Sequence, residues 1–364
     1  MKKILVPLMT LSLLALYPYT AWGTNMGVGA RAVGMGGAYT AIADDVYAPY
    51  WNPAGVIQTP HAGFTFGGGF QGDLEKLFNV ENALGNYEMP SQDDMNQSYL
   101  LSAYFGFTTP HFAISSYGDL QLDTIMDNSK NVAVGTDMMG EAYGAATLAF
   151  HLSDFLVIGF NYKSVAVAYG EANLPSLPDY TTATQADLDN YQATVSYNTG
   201  TGTAYDFGTL LRLTPGLTVG LMARNVYSQI DSEEGTTSAY KLDYSDPSNL
   251  KLTSPTKTPY YHNIEIPKTY TLGIAYRPFE TTLLALEVES ITNTSNDQTR
   301  FHVGLEQTAL WDFIALRLGC FTNKGEAPSY TAGLGLQIWI FSTNAAYVKN
   351  EDGQTYMITG DFYF

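Results

Sequence analysis

The last nine residues of the chain alternate strictly. Tyr356, Ile358, Gly360, Phe362 and Phe364 share one face of an extended run, and Met357, Thr359, Asp361 and Tyr363 share the other. Successive side chains of a strand point to opposite faces, so this run has one apolar face and one face that carries Thr and Asp. Such a division suits a wall with lipid on one side and water on the other. A soluble sandwich also has one packed and one wet face, so alternation alone leaves both readings open.

The connections separate the two readings better. From residue 61 onward, strands are expected near 62–70, 97–107, 111–119, 139–151, 155–169, 199–213, 216–228, 268–277, 282–291, 299–308, 313–321, 329–338, 341–349 and 355–364. Several carry polar residues behind an apolar face: Phe301, Val303 and Leu305 oppose His302, Gly304 and Glu306, and Leu316 and Leu318 flank Arg317. Short links at Thr109-Pro110, Ser153-Asp154, Thr214-Pro215-Gly216, 278–281, 309–312 and Trp339-Ile340 alternate with others, most of them longer, at 71–96, 120–138, 170–198, 229–267, 292–298, 322–328 and 350–354. Short turns at one end and long loops at the other are the habit of outer-membrane barrels. Closure of a barrel also satisfies every strand edge, which lipid demands. The fold expected is therefore all-β, a 14-stranded antiparallel transmembrane β-barrel over 61–364, with an even strand count that puts both ends on the periplasmic side.

The start of the chain fits that compartment. Lys2 and Lys3 precede an apolar run from Ile4 to Leu16, and Ala21-Trp22-Gly23 offers small residues for cleavage, so 1–23 reads as a secretory signal peptide. No segment reaches the ~18 apolar residues of a spanning helix. Loss of two of the 17 basic residues against 35 acidic ones takes the net charge from −18 to −20. That balance argues against nucleic acid and against an anionic membrane surface as partners. Charged residues make up 14% of the chain, with 34 Gly and 27 Tyr, against roughly 25% charged in soluble domains. Few charges and many tyrosines suit a lipid-facing wall with aromatic belts at its rims. The single Cys, Cys320, rules out an internal disulfide.

Residues 24–60 are different. The run from Gly27 to Gly55 is rich in small residues and has no period of two, so it reads as a compact segment of tight turns. Gly34-Met35-Gly36-Gly37 lacks the spacing and the preceding strand of a nucleotide loop. Arg31 is placed to pair with Asp44 or Asp45, Asn52 to satisfy backbone groups, and Pro53 to fix a turn. The five histidines, His61, His111, His151, His262 and His302, show no metal-ligand spacing, and no G-x-S-x-G run is present. No cofactor, metal site or catalytic residue is expected, and the chain is read as a non-enzyme. The long loops at 71–96 and 229–267 carry most of the exposed acid, and 73–84 has the pattern of a short amphipathic helix.

Three stretches carry a family resemblance: Gly29 to Tyr39, Ala43-Asp44-Asp45, and Trp51-Asn52-Pro53-Ala54-Gly55. Together they resemble the N-terminal signature of the FadL/PorV-type outer-membrane barrels, with a closer likeness to the PorV-like branch. Weaker matches at 204–208, 217–225, 266–268, 273–278 and 330–335 extend the resemblance over nearly the whole chain. The resemblance implies a fourteen-stranded barrel whose N-terminal segment, here 24–60, folds inside as a plug. Arg31, Asp44, Asp45, Asn52, Pro53 and Ala54 are then the candidates for holding the plug or gating a ligand. The last strand is similar to the C-terminal signal that outer-membrane barrels present to the barrel-assembly machinery, carried by Tyr356, Ile358, Phe362 and Phe364.

Two functions follow as expectations in the outer membrane of a Gram-negative-type bacterium. One is passive uptake of small hydrophobic or amphipathic molecules, fatty-acid-like ones among them, past the plug. The alternative is a non-transporting platform for a secreted protein partner, of the PorV kind. Outer-membrane lipid and lipopolysaccharide would be contacted in either case. Ligand-sized apolar side chains facing the upper lumen would favour uptake; a lumen filled by an ordered plug, with a broad apolar patch on the extracellular loops, would favour the platform, and a plain porin is disfavoured by the plug-like 24–60 segment.

Overall fold

The computed structural model describes residues 27–59, 61–73, 75, 76, 78, 79, 82, 95–127, 132–175, 189–243, 251–292, 297–350 and 353–364. The signal peptide call, residues 24–26 and most of the 73–84 helix call lie outside them. Within the latter, Glu75, Lys76, Phe78, Asn79 and Asn82 are helical.

The strands in chain order are β1 (Gly63–Gly72), β2 (Gln97–Thr109), β3 (Phe112–Asp127), β4 (Val132–His151), β5 (Leu156–Pro175), β6 (Gln192–Thr214) and β7 (Leu217–Ser232). Three short ones follow, β8 (Gly235–Asp243), β9 (Lys251–Leu252) and β10 (Thr256–Tyr260). The rest are β11 (Lys268–Phe279), β12 (Thr282–Thr292), β13 (Gln298–Ala309), β14 (Ile314–Asn323), β15 (Ser329–Ile338), β16 (Phe341–Asn350) and β17 (Gly353–Tyr363). Each neighbour pairs antiparallel, β7 pairs directly with β11, and β1 pairs with β17 from Gly63↔Tyr363 to Gly72↔Gln354. Setting β8–β10 aside, the ring is a closed 14-strand barrel.

Period-two patterning builds the wall. Tyr270, Leu272, Ile274 and Tyr276 are exposed on its outside, as are Leu284, Leu286, Phe301, Val303, Leu316 and Leu318. Glu287, His302, Glu306 and Arg317, from the opposite faces of the same strands, are buried inside. The last strand is sealed at its foot by Phe364 N–H donating to Ala62 O at 2.8 Å, and Phe364 lies 6.4 Å from the Phe107 ring. Tyr356, Ile358 and Phe364 are exposed on the outer face, and Phe362 sits 5.3 Å from Phe64.

One expectation is corrected. The stretch 120–138 is largely strand, since β3 runs to Asp127 and β4 starts at Val132, and 170–198 begins and ends in strand, since β5 runs to Pro175 and β6 starts at Gln192. The 229–267 stretch likewise contains the end of β7 and all of β8–β10, and β8 pairs with β6 from Gln192↔Lys241 to Tyr197↔Thr236. The physical reason is that these extensions stand beyond the lipid. Both faces are wet there, so polar residues such as Asp119, Gln121 and Asp123 sit in unbroken ladder pairs that apolar alternation cannot reveal.

Candidate functional site

Residues 27–59 lie inside the ring and touch it around its circumference. The segment folds as a helical turn Ala30–Gly34, a short helix Ala48–Trp51 and a 3-10 stretch Pro53–Gln58. Pro49 and Pro53 stand in the first turns of the last two, where a missing N–H costs nothing. Val33, Met35, Val46 and Val56 are completely buried, which stabilises by about 1.5–3 kcal/mol each. Tyr39 meets Trp51 edge-on at 5.9 Å and Tyr47 tilts against Tyr104 of β2 at 4.8 Å.

The wall that faces Ala30–Gly34 is charged. Arg31 grips Glu306 of β13 with two parallel bonds of 2.8 Å and reaches Asp44 at 2.6 Å and Asp45 at 3.5 Å. Arg317 of β14 donates to the same Glu306 at 2.7 Å and to Asn344 Oδ1 at 2.8 Å. Asn344 donates to Asp361, Asp361 accepts from Thr65, and Thr65 meets the Tyr47 hydroxyl at 2.6 Å. The network thus leaves the segment at Arg31, crosses β13, β14, β16, β17 and β1, and returns to it at Tyr47. Bidentate guanidinium–carboxylate pairs of this kind are both strong and directional. Glu287 of β12 accepts the backbone N–H groups of Tyr39 (3.0 Å) and Thr40 (2.8 Å), and His302 Nδ1 meets Gly36 O at 2.7 Å. Burial pushes the Asp45 carboxyl up from its ordinary value against the pull of Arg31, and the Tyr39 hydroxyl and Tyr47 N–H both donate to it.

Asn52 is a backbone satisfier. Its Nδ2 donates to Thr40 O at 2.9 Å and to Thr209 O of β6 at 3.0 Å, and its Oδ1 accepts from Ala54 N–H at 3.1 Å. Pro53 and Ala54 press on the wall where it has no side chains. A Cβ on Gly208 would come within 2.1 Å of Asn52 Oδ1, and one on Gly159 within 2.2 Å of Ala54 N. Of the six candidates, Arg31, Asp44 and Asp45 therefore form one ionic group, while Asn52, Pro53 and Ala54 form a separate contact against β5 and β6.

On the other side of the lumen the wall is aromatic. Tyr104, Tyr117 and Tyr143, from β2, β3 and β4, form a stack in which Tyr117 and Tyr143 lie 4.6 Å apart and nearly parallel. Tyr50 from the segment closes on Tyr117 edge-on at 5.0 Å, and Arg224 of β7 lies 4.2 Å over Tyr50. Val165, Val167 and Tyr169 continue the buried column up β5, and Ile264 and Ile266 join it from the stretch before β11. At its top Tyr169 stacks on His262 at 4.0 Å. Behind the column, Lys163 is 0% exposed and pairs with Asp206 at 2.7 Å. Asp206 stands opposite a bulge in β7: Tyr205 pairs with Tyr227 and Phe207 with Ala223. Asn225, at φ 53, donates its N–H to Asp206 at 2.8 Å.

Beneath the segment, at the short-turn end, lies a cavity of about 460 Å³ whose lining includes Asp44, Gln58, Asp154, Arg212 and Arg277. Sequence reasoning had put Glu306, His302 and Arg317 on the wet face of their strands but had no signal for their partners. Asp361 was likewise placed on the wet face of the last strand, while Glu287, Asn344, Arg224 and the tyrosine column were not singled out. No group of metal-binding side chains occurs among the described residues.

No protein-family model matches the chain, and no curated protein matches it. Solved structures do. The toluene transporter TbuX of Ralstonia pickettii superposes with a TM-score of 0.65 at 15% identity, over 93% of this chain and 98% of its own. The toluene transporter TodX of P. putida gives 0.63 at 12%, over 94% and 99%. A FadL homologue of Pseudomonas aeruginosa gives 0.59 at 11%, over 96% and 99%. At these identities the likeness establishes a shared fold.

Proposed function

We propose that this chain is a passive outer-membrane channel for small hydrophobic or amphipathic molecules, and that residues 24–60 act as its plug. The observation that carries the reading is the buried column of Tyr104, Tyr117, Tyr143, Val165, Val167 and Tyr169 on the inner face of β2–β5. The outside of the same strands is already apolar for lipid. A water-filled porin lines its lumen with polar groups, whereas aromatic and aliphatic side chains facing inward suit a ligand that shuns water. TodX and TbuX, described as toluene transporters, share this fold, so small aromatic molecules are the first substrates to test.

In this reading a substrate enters among the extracellular strands β6 and β8–β10 and descends along the tyrosines, driven by its own gradient. It then passes the plug or leaves through the wall. The β2–β3 ladder is unbroken and the β3–β4 ladder shifts register only near its far end, between Ile125 and Asp127, while the β6–β7 ladder is interrupted at Asp206. The Asn225 bulge is therefore the better-placed site for a sideways exit. The competing reading, a platform for a secreted protein, leaves the inward tyrosines without a task.

Native mass spectrometry of the protein extracted gently from its own membranes tests the proposal. A co-purifying small hydrophobic molecule of defined mass is expected. A stoichiometric protein partner with no small ligand would favour the platform instead.

A further inference from the structure

The chain has six arginines, and four of them are closely partnered. Arg31 and Arg317 share Glu306. Arg300 donates to Asn323 at 2.8 Å and lies 3.7 Å from Glu289, and Arg224 donates to Tyr50 O at 2.9 Å. Arg212 and Arg277 differ. Among the described residues, the Arg212 side chain makes one long bond, to Gln58 Oε1 at 3.4 Å, and Arg277 comes only to 3.9 Å from Asp44. That carboxylate is already held by Arg31 at 2.6 Å. A guanidinium carries five N–H donors, so most of the donors at these two residues are left for another acceptor.

Both arginines line the cavity of about 460 Å³ beneath the N-terminal segment. The ladder brings them there. Arg212 of β6 pairs with Thr218 of β7, and Thr218 with Ala275 of β11, so these three share the inner face of the wall. Arg277 follows Ala275 by two residues, and its backbone N–H donates to Gly216 O at 2.7 Å. Two strand spacings, about 10 Å, separate β6 from β11, a gap that two long side chains close on one small ion. We propose that this cavity is an anion site reached from the periplasm, in which Arg212 and Arg277 together hold one small oxyanion, a carboxylate or a phosphate. Guanidinium groups take such ions by paired charge-assisted bonds and are more weakly hydrated than ammonium groups. Ile42, Ala275 and Leu283 add apolar surface to the lining, and Thr214 and Pro215, both exposed, form its edge at the short-turn end. The volume falls in the range of small-molecule sites, roughly 300–1,000 Å³. Two carboxylates also line the cavity, but Asp44 is neutralised by Arg31 and Asp154 stands exposed on the β4–β5 turn. The site shares no residue with the tyrosine column and does not depend on what passes the barrel.

The test is isothermal titration calorimetry on the detergent-purified protein at low salt, with sodium phosphate, with sodium benzoate and with benzyl alcohol as an uncharged counterpart. At least one of the two anions should bind one to one, with an affinity that falls as salt rises, and benzyl alcohol should not displace it. Binding of phosphate alone would name a free inorganic ion as the occupant, and binding of benzoate alone the acid group of a small amphipathic molecule; either supports the site. Arg212→Gln and Arg277→Gln should each weaken binding about tenfold, and the two together should remove it, with folding verified by heat-dependent gel mobility. Phenylglyoxal labelling of the wild type, mapped by peptide mass, needs no variant: the bound anion should shield Arg212 and Arg277. Absence of binding by both anions, undiminished binding in a folded double variant, or labelling of the two arginines that the anion leaves unchanged would overturn the assignment.

Discussion

The two halves of the barrel solve different problems with the same strand pattern. Strands β12–β17 are 10 to 12 residues long and turn charged or amide side chains inward: Glu287, Glu306, Arg317, Asn344 and Asp361. Strands β3–β6 are 16 to 23 residues long, stand well beyond the lipid, and bury Tyr117, Tyr143, Val165, Val167 and Tyr169 along the lumen. The first half holds the N-terminal segment by directional bonds. The second offers it flat rings and bare backbone. The ion pairs of the segment thus lie on one arc, while on the other it is held by ring packing and by hydrogen bonds such as Asn161 Nδ2 to Pro49 O at 2.7 Å and Asn52 Nδ2 to Thr209 O at 3.0 Å. The comparison therefore separates a charged arc from an aromatic one, and the proposed route runs along the second.

Deletion of 24–60 should have the largest effect. The barrel ladders do not involve this segment, so the ring should still fold, and single-channel conductance in planar bilayers should rise. Unchanged conductance would break the plug reading. Next come the two buried ion pairs, which separate the halves. Glu306→Ala strands Arg317, leaves Arg31 with Asp44 and Asp45 alone, and should cost about 3–5 kcal/mol, the range for a buried pair robbed of one partner. It should also make the N-terminal segment accessible to protease. Asp206→Ala, which strands Lys163, should destabilise the β6–β7 wall by a similar ~3–5 kcal/mol while Arg31 keeps its grip. Denaturant melts combined with limited proteolysis would show whether the two variants part in this way. Asn52→Ala removes the donor to Thr40 and Thr209 and should cost about 1–3 kcal/mol, the penalty of unsatisfied buried groups. Glu234→Gln, on the exposed extracellular side, should stay within about 0.5 kcal/mol.

The regular half was legible almost to the residue. The expected 282–291 and 341–349 became 282–292 and 341–350, because one lipid face and one lumen face leave an uninterrupted period of two. The tall half was not, since strands beyond the lipid lose the apolar face on which the reading depends. Within the site, the pairing of Arg31 with Asp44 could be foreseen from charges 13 residues apart. Its pairing with Glu306 could not, because the partners are 275 residues apart and only ring closure brings them together. Asn52 was readable as a backbone satisfier. That it would do so against Gly208 was not, for a glycine that admits another chain looks the same in sequence as one that merely fills a strand.

The most direct test of the account is a pairwise uptake measurement on proteoliposomes: a small aromatic hydrocarbon against a hydrophilic solute of similar size, for the wild type and for Tyr143→Asp. The wild type should admit the hydrocarbon and exclude the hydrophilic solute. The charge placed in the tyrosine column should abolish the difference by suppressing hydrocarbon entry. A wild type that passes the hydrophilic solute at least as fast, or a hydrocarbon flux indifferent to Tyr143→Asp, would contradict a hydrophobic route along the tall half of the barrel.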